Sequence, residues 1–358
     1  MDKIRVLVVD DSSVVRRMVS NALETDPALE VVGTAANGKI AIAKIPLVNP
    51  EVIILDVAMP DMDGLETLAA IRKQDLHLPI IMYSALTDNG AIATIEALSL
   101  GASDYVTKPS NMKTKEAALQ HIQQQLIPKI KVFSHASKLK NGTPNTLTQK
   151  PNFQSKIPHL HSPTIAWKRA KIEIVAIGVS TGGPTALETV LSQLPANFPV
   201  PIVIVQHMPP VFTKRLADRL TQKCKIRVSE GSQGGILAPG HAWIAPGDYH
   251  IVVEKNGDRA QIRINQEPPE NSCRPAVDVL FRSVAKSYGA NTLGIVMTGM
   301  GQDGLIGCQY IREAGGIVIV QDEKTSVVWG MPGIVANSGL ADIVLPLDEI
   351  AGETIRRV

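Results

Sequence analysis

The sequence has few cysteines, no long apolar run and little net charge. Its three cysteines, Cys224, Cys273 and Cys308, are odd in number and widely spaced. That pattern suggests neither a disulfide framework nor a zinc knuckle and points to a reducing compartment. No apolar run approaches the ~20 residues that a membrane-spanning helix needs. Met1-Asp2-Lys3-Ile4-Arg5 leads straight into a strand pattern without the apolar core of a signal peptide. The expected setting is therefore the cytoplasm, with no membrane insertion. A formal net charge of +2 gives no argument for a polyanionic partner. No helix-turn-helix pattern or basic stripe appears, so no nucleic-acid partner is expected. A length of 358 residues, 44% hydrophobic and 20% charged, suits two soluble domains.

Strand and helix patterns alternate over residues 1–132. Apolar strands are expected at Ile4–Val9, Leu29–Val32, Val52–Leu55, Pro79–Tyr83 and Ala102–Thr107, each followed by a helical pattern. Five such units indicate one open, doubly wound parallel sheet. Asp10 and Asp11 leave the first strand and Asp56 the third, so three carboxylates meet at one sheet edge. Such crowding is unfavourable unless a cation neutralises it, and a hard oxygen-seeking ion, Mg²⁺, suits the set. Ser84 ends the fourth strand. Lys108 ends the fifth ahead of Pro109, in a bond of the kind that can be cis. A carboxylate, a metal, a hydroxyl and a lysine can accept and hold a phosphoryl group. Taken singly, these acids also read as helix N-caps.

These residues resemble the receiver domain of two-component response regulators. The resemblance rests on Asp10-Asp11, on Asp56 in Leu55-Asp56-Val57-Ala58-Met59-Pro60, on Asp63-Gly64, on Ser84 and on Asp104-Tyr105-Val106-Thr107-Lys108-Pro109. It implies a flavodoxin-like fold with a five-stranded parallel sheet and Asp56 as the phosphorylated residue. It also implies Mg²⁺ at Asp10, Asp11, Asp56 and the Ala58 carbonyl, with Tyr105 changing position with Ser84 on phosphorylation. Ala58 stands where such receivers commonly carry an acid, but only its carbonyl is needed.

Residues 133–170 are rich in Lys, Asn, Thr, Pro and Ser, and Pro144, Pro151, Pro158 and Pro163 would break a helix. The segment reads as a flexible linker. Its histidines, His135, His159 and His161, read as solvated side chains.

Alternation resumes over residues 171–358. Three runs, Ile172–Ile177, Ile202–Val205 and Leu293–Met297, read as strands buried on both faces. They lead to Gly178-Val179-Ser180-Thr181-Gly182-Gly183-Pro184, Gln206-His207-Met208-Pro209-Pro210 and Thr298-Gly299-Met300-Gly301-Gln302-Asp303-Gly304. Side chains past such strand ends face the crevice where α/β proteins place their chemistry. Between about Ile226 and Ile264, short strands alternate with Pro-Gly turns and suggest hairpins. The expected fold is a mainly parallel α/β domain with a β-hairpin excursion.

Gly178-Val179-Ser180-Thr181-Gly182 fits G-x-S-x-G, in which a strand-to-helix turn exposes a serine. A serine needs a neighbouring imidazole as base, and that imidazole needs a carboxylate to orient it. His207 and Asp303 follow buried strands in the same way. The order Ser, His, Asp disfavours the α/β-hydrolase fold, whose order is Ser, acid, His. A dinucleotide loop is a second reading of these glycines, but Ser180 takes the place where only a hydrogen lets pyrophosphate approach. Alone, His207 reads equally as a core histidine and Asp303 as a turn residue.

This half resembles the catalytic domain of the chemotaxis-type protein-glutamate methylesterases, the CheB family. The same three stretches carry the likeness, with Pro239–Gly247 and Arg274-Pro275-Ala276-Val277-Asp278. The resemblance implies Ser180 as nucleophile, His207 as base, Asp303 as its orienter, and the Thr181 and Met300 N–H groups as oxyanion donors. It implies hydrolysis of glutamate γ-methyl esters on the cytoplasmic domains of chemoreceptors, with glutamine deamidation, no cofactor for the ester step, and a chemotaxis-type histidine kinase as phosphodonor. The alternative is a phosphorylation-controlled adaptor whose second domain is not catalytic.

Overall fold

In a computed structural model, residues 3–109, 114–141, 171–257 and 259–358 are described, with backbone alone for 136–141. The first half runs β1 (Ile4–Val9), α1 (Ser13–Leu23), β2 (Leu29–Ala35), α2 (Gly38–Val48), β3 (Val52–Asp56), α3 (Gly64–Arg72), β4 (Ile80–Ser84), α4 (Asp88–Ser99), β5 (Asp104–Thr107) and α5 (Lys115–Asn141). The sheet order is β2-β1-β3-β4-β5, all parallel. Short polar residues cap α1 to α4. Ser12 caps α1, and Asp63 with Glu66 forms a reciprocal capping box on α3.

One expectation in this half changes. Helix α5 continues nine residues past the expected boundary at 132, because Ile122, Leu126, Ile130 and Phe133 keep helical spacing and are all buried. The linker expected from 133 thus begins as helix, and residues 142–170, with His159 and His161, lie outside the described residues. His135 is on α5, its Nδ1 2.8 Å from the Lys131 carbonyl. The Lys108–Pro109 bond is trans; the cis peptide bond among the described residues is Arg274–Pro275.

The second half runs β6 (Ile174–Val179), α6 (Gly183–Leu191), β7 (Ile202–Gln206), α7 (Phe212–Lys223), β8 (Arg227–Glu230), β9 (His241–Ile244), β10 (His250–Asn256), β11 (Arg259–Asn265), α8 (Val277–Tyr288), β12 (Thr292–Val296), α9 (Leu305–Glu313), β13 (Ile317–Gln321), α10 (Met331–Asn337), β14 (Ile343–Leu345) and α11 (Leu347–Arg357). Seven strands form a parallel sheet in the order β14-β13-β12-β6-β7-β9-β8. The hairpin excursion is β10–β11, paired antiparallel from His250–Asn265 to Asn256–Arg259. Strand β9, expected among the hairpins, lies in the main sheet between β7 and β8. The turn at Pro246-Gly247 carries the chain out of that sheet rather than folding it back.

Alternate residues of β6 and β7 point to opposite faces. Ile174, Ala176, Val203 and Val205 meet Val277, Leu280 and Phe281 of α8. Val175, Ile177, Ile202 and Ile204 join a cluster with Leu187, Leu216 and Leu220 of α6 and α7. Burial on both faces is what the unbroken Ile/Val runs encode.

The two halves touch through α4 and β5 on one side and α6 and α7 on the other. The Tyr105 and Phe212 rings stack with centroids 5.0 Å apart and planes 11° from parallel. Arg215 Nη2 donates to Asp88 Oδ1 at 2.6 Å.

Candidate active site

Strands β12, β6 and β7 are neighbours, and the chain leaves β6 in opposite directions on its two sides. This is the switch point where α/β sheets open a crevice. Ser180 is the first residue past β6 and His207 the first past β7, while Asp303 lies between β12 and α9. Strand β6 ends two residues later than its sequence pattern suggested, so Ser180 sits directly on the rim.

Packing of small residues sets this rim. Ser180 N donates to the Thr298 carbonyl at 3.0 Å, and Thr298 Oγ1 donates to the Thr181 carbonyl at 2.9 Å. These bonds clamp the loop after β12 to the serine turn. A Cβ at Gly299 would come 2.9 Å from Ser180 Cβ and 2.4 Å from Met331 Sδ, so this close approach requires glycine. Gln206 Nε2 donates to the Ser180 and His207 carbonyls at 3.0 and 3.1 Å, tying the ends of β6 and β7 together.

His207 Nε2 lies 2.7 Å from Asp303 Oδ2. Asp303, 2% exposed, also accepts from Val277 N at 2.7 Å, Asp278 N at 3.0 Å and Asn271 Nδ2 at 3.0 Å. Two of these donors open α8, so the positive end of that helix faces the carboxylate. Burial works against a charged Asp303, but His207 and the N–H donors outweigh it and hold the carboxyl below its usual range. Burial likewise opposes an imidazolium, but the Asp303 carboxylate and the Cys273 thiol outweigh it and push His207 up. Nε2–H stays with Asp303, so Nδ1 is the nitrogen that exchanges its proton with the cleft. Nδ1 is 3.7 Å from Cys273 Sγ.

Ser180 and His207 line one cleft of about 680 Å³, with no hydrogen bond between them among the described residues. Such bonds often tighten only when substrate is bound. Thr181 and Met300 line the same cleft, and among the described residues no acceptor takes their backbone N–H groups. The opposite wall comes from the first half, where Tyr105, His121 and Lys129 face the cleft.

A second cluster lies at the edge of the first sheet. Lys108 Nζ is 2.8 Å from Asp10 Oδ2 and 2.7 Å from Asp56 Oδ2. Oxygens of Asp10, Asp11 and Asp56 lie within 4.8 Å of one another. Three carboxylates against one ammonium leave an uncompensated negative charge, a donor set that fits a divalent oxygen-seeking cation. Burial, aided by Asp10, pushes the Asp56 carboxyl up to about 6 even with Lys108 beside it. Ala58 borders this cleft, and its N–H points towards Asp56 Oδ1 at 3.5 Å. Ser84 Oγ donates to the Gly90 carbonyl at 3.1 Å. Tyr105 is not gathered here. Its ring is buried against Phe212, on the side facing the second half.

Residues 175–354 match the CheB methylesterase family, and residues 6–120 match the response regulator receiver domain family. A protein-glutamate methylesterase/protein-glutamine glutaminase of Trichodesmium erythraeum is 57% identical over 100% of both chains. The chain belongs to the CheB methylesterase family. Another protein of that description, from a Nocardioides species, is 46% identical over 100% of this chain and 96% of its own. The CheB methylesterase catalytic domain of Thermotoga maritima superposes with a TM-score of 0.52 at 42% identity, covering 53% of this chain and 100% of that one.

Around this CheB-family site, four residues make contacts that motif reading did not assign. Gln206 and Asp278 lay inside recognised stretches without a role. Asp278 accepts from Gly304 N at 3.0 Å and Gly307 N at 2.6 Å, fixing the start of α9 next to Asp303. Asn271 bridges Asp278 and Asp303. Asn271 and Ser272 hold φ of 50° and 62°, and an Asn-Ser pair ahead of a helix was the available signal for such a turn. Cys273 gave no signal beyond the rarity of cysteine.

Proposed function

We propose that this chain hydrolyses γ-methyl esters of glutamate on the cytoplasmic domains of chemoreceptors, releasing methanol, and deamidates selected receptor glutamines by the same route. The observation that carries the reading is His207 held by Asp303 on the rim that bears Ser180. Ser180 Oγ attacks the ester carbonyl while His207 Nδ1 takes its proton. Asp303 keeps Nε2 protonated and stabilises the imidazolium. The Thr181 and Met300 N–H groups receive the oxyanion, a contribution of roughly 3–4 kcal/mol where one such donor has been removed. The Oγ–C bond forms, the C–O bond to methanol breaks, and Nδ1 returns its proton to the leaving oxygen. Water then repeats the sequence on the acyl-enzyme and frees the glutamate carboxylate.

Control is assigned to the receiver, which we take to end with α5 and to connect through residues 142–170 to the esterase domain. Asp56 is the phosphoacceptor, supplied by a chemotaxis-type histidine kinase. Asp10, Asp11, Asp56 and the Ala58 carbonyl would hold Mg²⁺, which supplies charge neutralisation for phosphoryl transfer. Lys108 and Ser84 bind the phosphoryl oxygens, and Tyr105 follows Ser84. The receiver wall over the cleft supports restriction of access in the unphosphorylated state. A cytoplasmic location is part of this proposal. Among the described residues no helix is long and apolar enough to cross a membrane.

The test is methanol release from methylated receptor membranes, with and without acetyl phosphate plus Mg²⁺. Release that rises with the phosphodonor and disappears in Ser180→Ala is expected. Release from Ser180→Ala within a few-fold of wild type would overturn the assignment.

A further inference from the structure

Cys273 takes no part in ester hydrolysis as derived above, yet its Sγ lies 3.7 Å from His207 Nδ1 on the wall of the cleft. Tetrahedral zinc binds sulfur at about 2.3 Å and imidazole nitrogen at about 2.0–2.1 Å, which places the two ligand atoms about 3.6 Å apart. The two side chains already stand at that spacing. Metal-binding histidines also need the far nitrogen held by a carboxylate or carbonyl, which fixes the tautomer and turns the lone pair to the metal. Asp303 does this at Nε2 over 2.7 Å, and its oxygens are themselves fixed by Val277 N, Asp278 N and Asn271 Nδ2. Among the described residues, His207, Cys273 and Asp303 form one of two groups whose ligand atoms lie within 4.8 Å of one another, Asp303 supporting the pair from Nε2; the other is the all-carboxylate set at Asp56. A thiol with an imidazole favours a soft ion, and three carboxylates a hard one.

We propose that Cys273 Sγ and His207 Nδ1 form a binding site for a thiophilic divalent cation, Zn²⁺ foremost, and that its occupation shuts off the site. As the metal binds, the Cys273 thiol releases its proton to solvent, as does Nδ1 of any His207 that is protonated, and Nδ1 donates the lone pair it would use to take the Ser180 proton. Water fills the remaining positions from the cleft. No oxidant is needed, and a chelator reverses the block. The inhibitory effect rests on the reading of His207 as general base; binding of the ion does not.

The experiment uses the full chain with Mg²⁺ present to fill the carboxylate cluster. Co²⁺ is titrated first and read by its thiolate-to-metal charge-transfer absorption, which carboxylate ligands do not give. Zn²⁺ is then titrated against methanol release, each variant being scaled to its own metal-free rate. Wild type is expected to show the cobalt band and to lose its activity to Zn²⁺, with recovery on chelation. Cys273→Ala and Cys273→Ser are expected to lose the band and to need roughly tenfold or more Zn²⁺ for half-inhibition. Cys224→Ser, far from the cleft, keeps both responses. Absence of the band from folded wild type, or its survival in both Cys273 variants, overturns the proposal. A band lost with Cys273, but without any effect of Zn²⁺ on the rate, keeps the metal site and overturns His207 as the base.

Discussion

Replacing Asp303 by Asn tests the heart of the site, because size is preserved while one oxygen becomes a donor. Asp303 accepts four hydrogen bonds, two at each oxygen, from His207 Nε2, Val277 N, Asp278 N and Asn271 Nδ2. An amide can satisfy only the pair at its remaining oxygen, leaving two buried donors facing an NH₂ group. At about 1–3 kcal/mol for each lost partner, Asp303→Asn should lower stability by roughly 2–6 kcal/mol. If the amide keeps its oxygen at the Oδ1 position, with Asp278 N and Asn271 Nδ2, it offers His207 a donor, and the imidazole takes the wrong tautomer. In a serine triad that error lowers kcat by about 10⁴-fold.

The pH dependence carries a second signature. His207 is pushed above the usual histidine value, so in wild type the rate should climb with pH through a limb displaced upwards from 6.5. Without the carboxylate that limb falls back. The His207–Asp303 pairing stabilises the fold fully below the unfolded histidine value and fades as pH rises through the raised folded one. The stability gap between wild type and Asp303→Asn should therefore narrow at high pH. Methanol release across pH, with thermal melts on the same samples, reads all of this. A folded Asp303→Asn protein within tenfold of the wild-type rate, with an unmoved limb, refutes the reasoning.

The Asp56 carboxyl is raised to about 6, so its contribution to stability is present below the unfolded value of 3.8 and lost as pH climbs through about 6. A cation relieves that loss, so Mg²⁺ should raise Tm clearly near pH 8, hardly at about pH 5, and much less in Asp56→Asn. Gly299→Ala forces a Cβ against Ser180 and Met331; melts should show a loss of about 1–3 kcal/mol and assays a fall in kcat of about 100-fold. Tyr105→Ala removes an interdomain ring stack of about 0.5–1.5 kcal/mol, so the unphosphorylated rate should rise roughly 2- to 12-fold, and no rise would disconnect that contact from control.

The strands that matter most were the most legible. Strands β6, β7 and β12 are covered by helices on both faces, so their sequences are nearly unbroken Ile and Val, and Ser180 and His207 fall directly beyond them. Pro184 occupies the first turn of α6, where its fixed φ suits a helix start. The end of α5 is hidden in the sequence because polar residues after Val132 mask an apolar stripe whose last member is Phe133. The hairpin begins later than the sequence pattern suggests, at β10, because a Pro-Gly turn reads the same whether it closes a hairpin or leaves a sheet. Asn271 and Cys273 sit in an irregular stretch without periodicity. They join the site only because β11 ends and α8 begins beside Asp303, a proximity set by tertiary structure.

The interface also bears on how readily the receiver could release the cleft. Among the described residues its ring and ion-pair ties are the Tyr105–Phe212 stack and a surface pair, Arg215 with Asp88, whose side chains are 34% and 67% exposed, beside one apolar cluster that runs from Ile95, Leu98 and Tyr105 to Ala186 and Phe212. Exposed pairs contribute about 0–1 kcal/mol, and with about 0.5–1.5 kcal/mol for the stack the two together bring roughly 0.5–2.5 kcal/mol to docking. A phosphoryl group needs only a comparable preference for the undocked form to shift the balance about tenfold. Tyr105 is where such a preference would be felt. Strand β5 carries Tyr105 into the stack and ends beside Lys108, which already bridges Asp10 and Asp56. Lys108 drawn onto a phosphoryl group would move the end of that strand, and the ring on Phe212 would move with it. Phe212 opens α7 only five residues after His207, so the ring stack is also the interdomain tie nearest in sequence to His207.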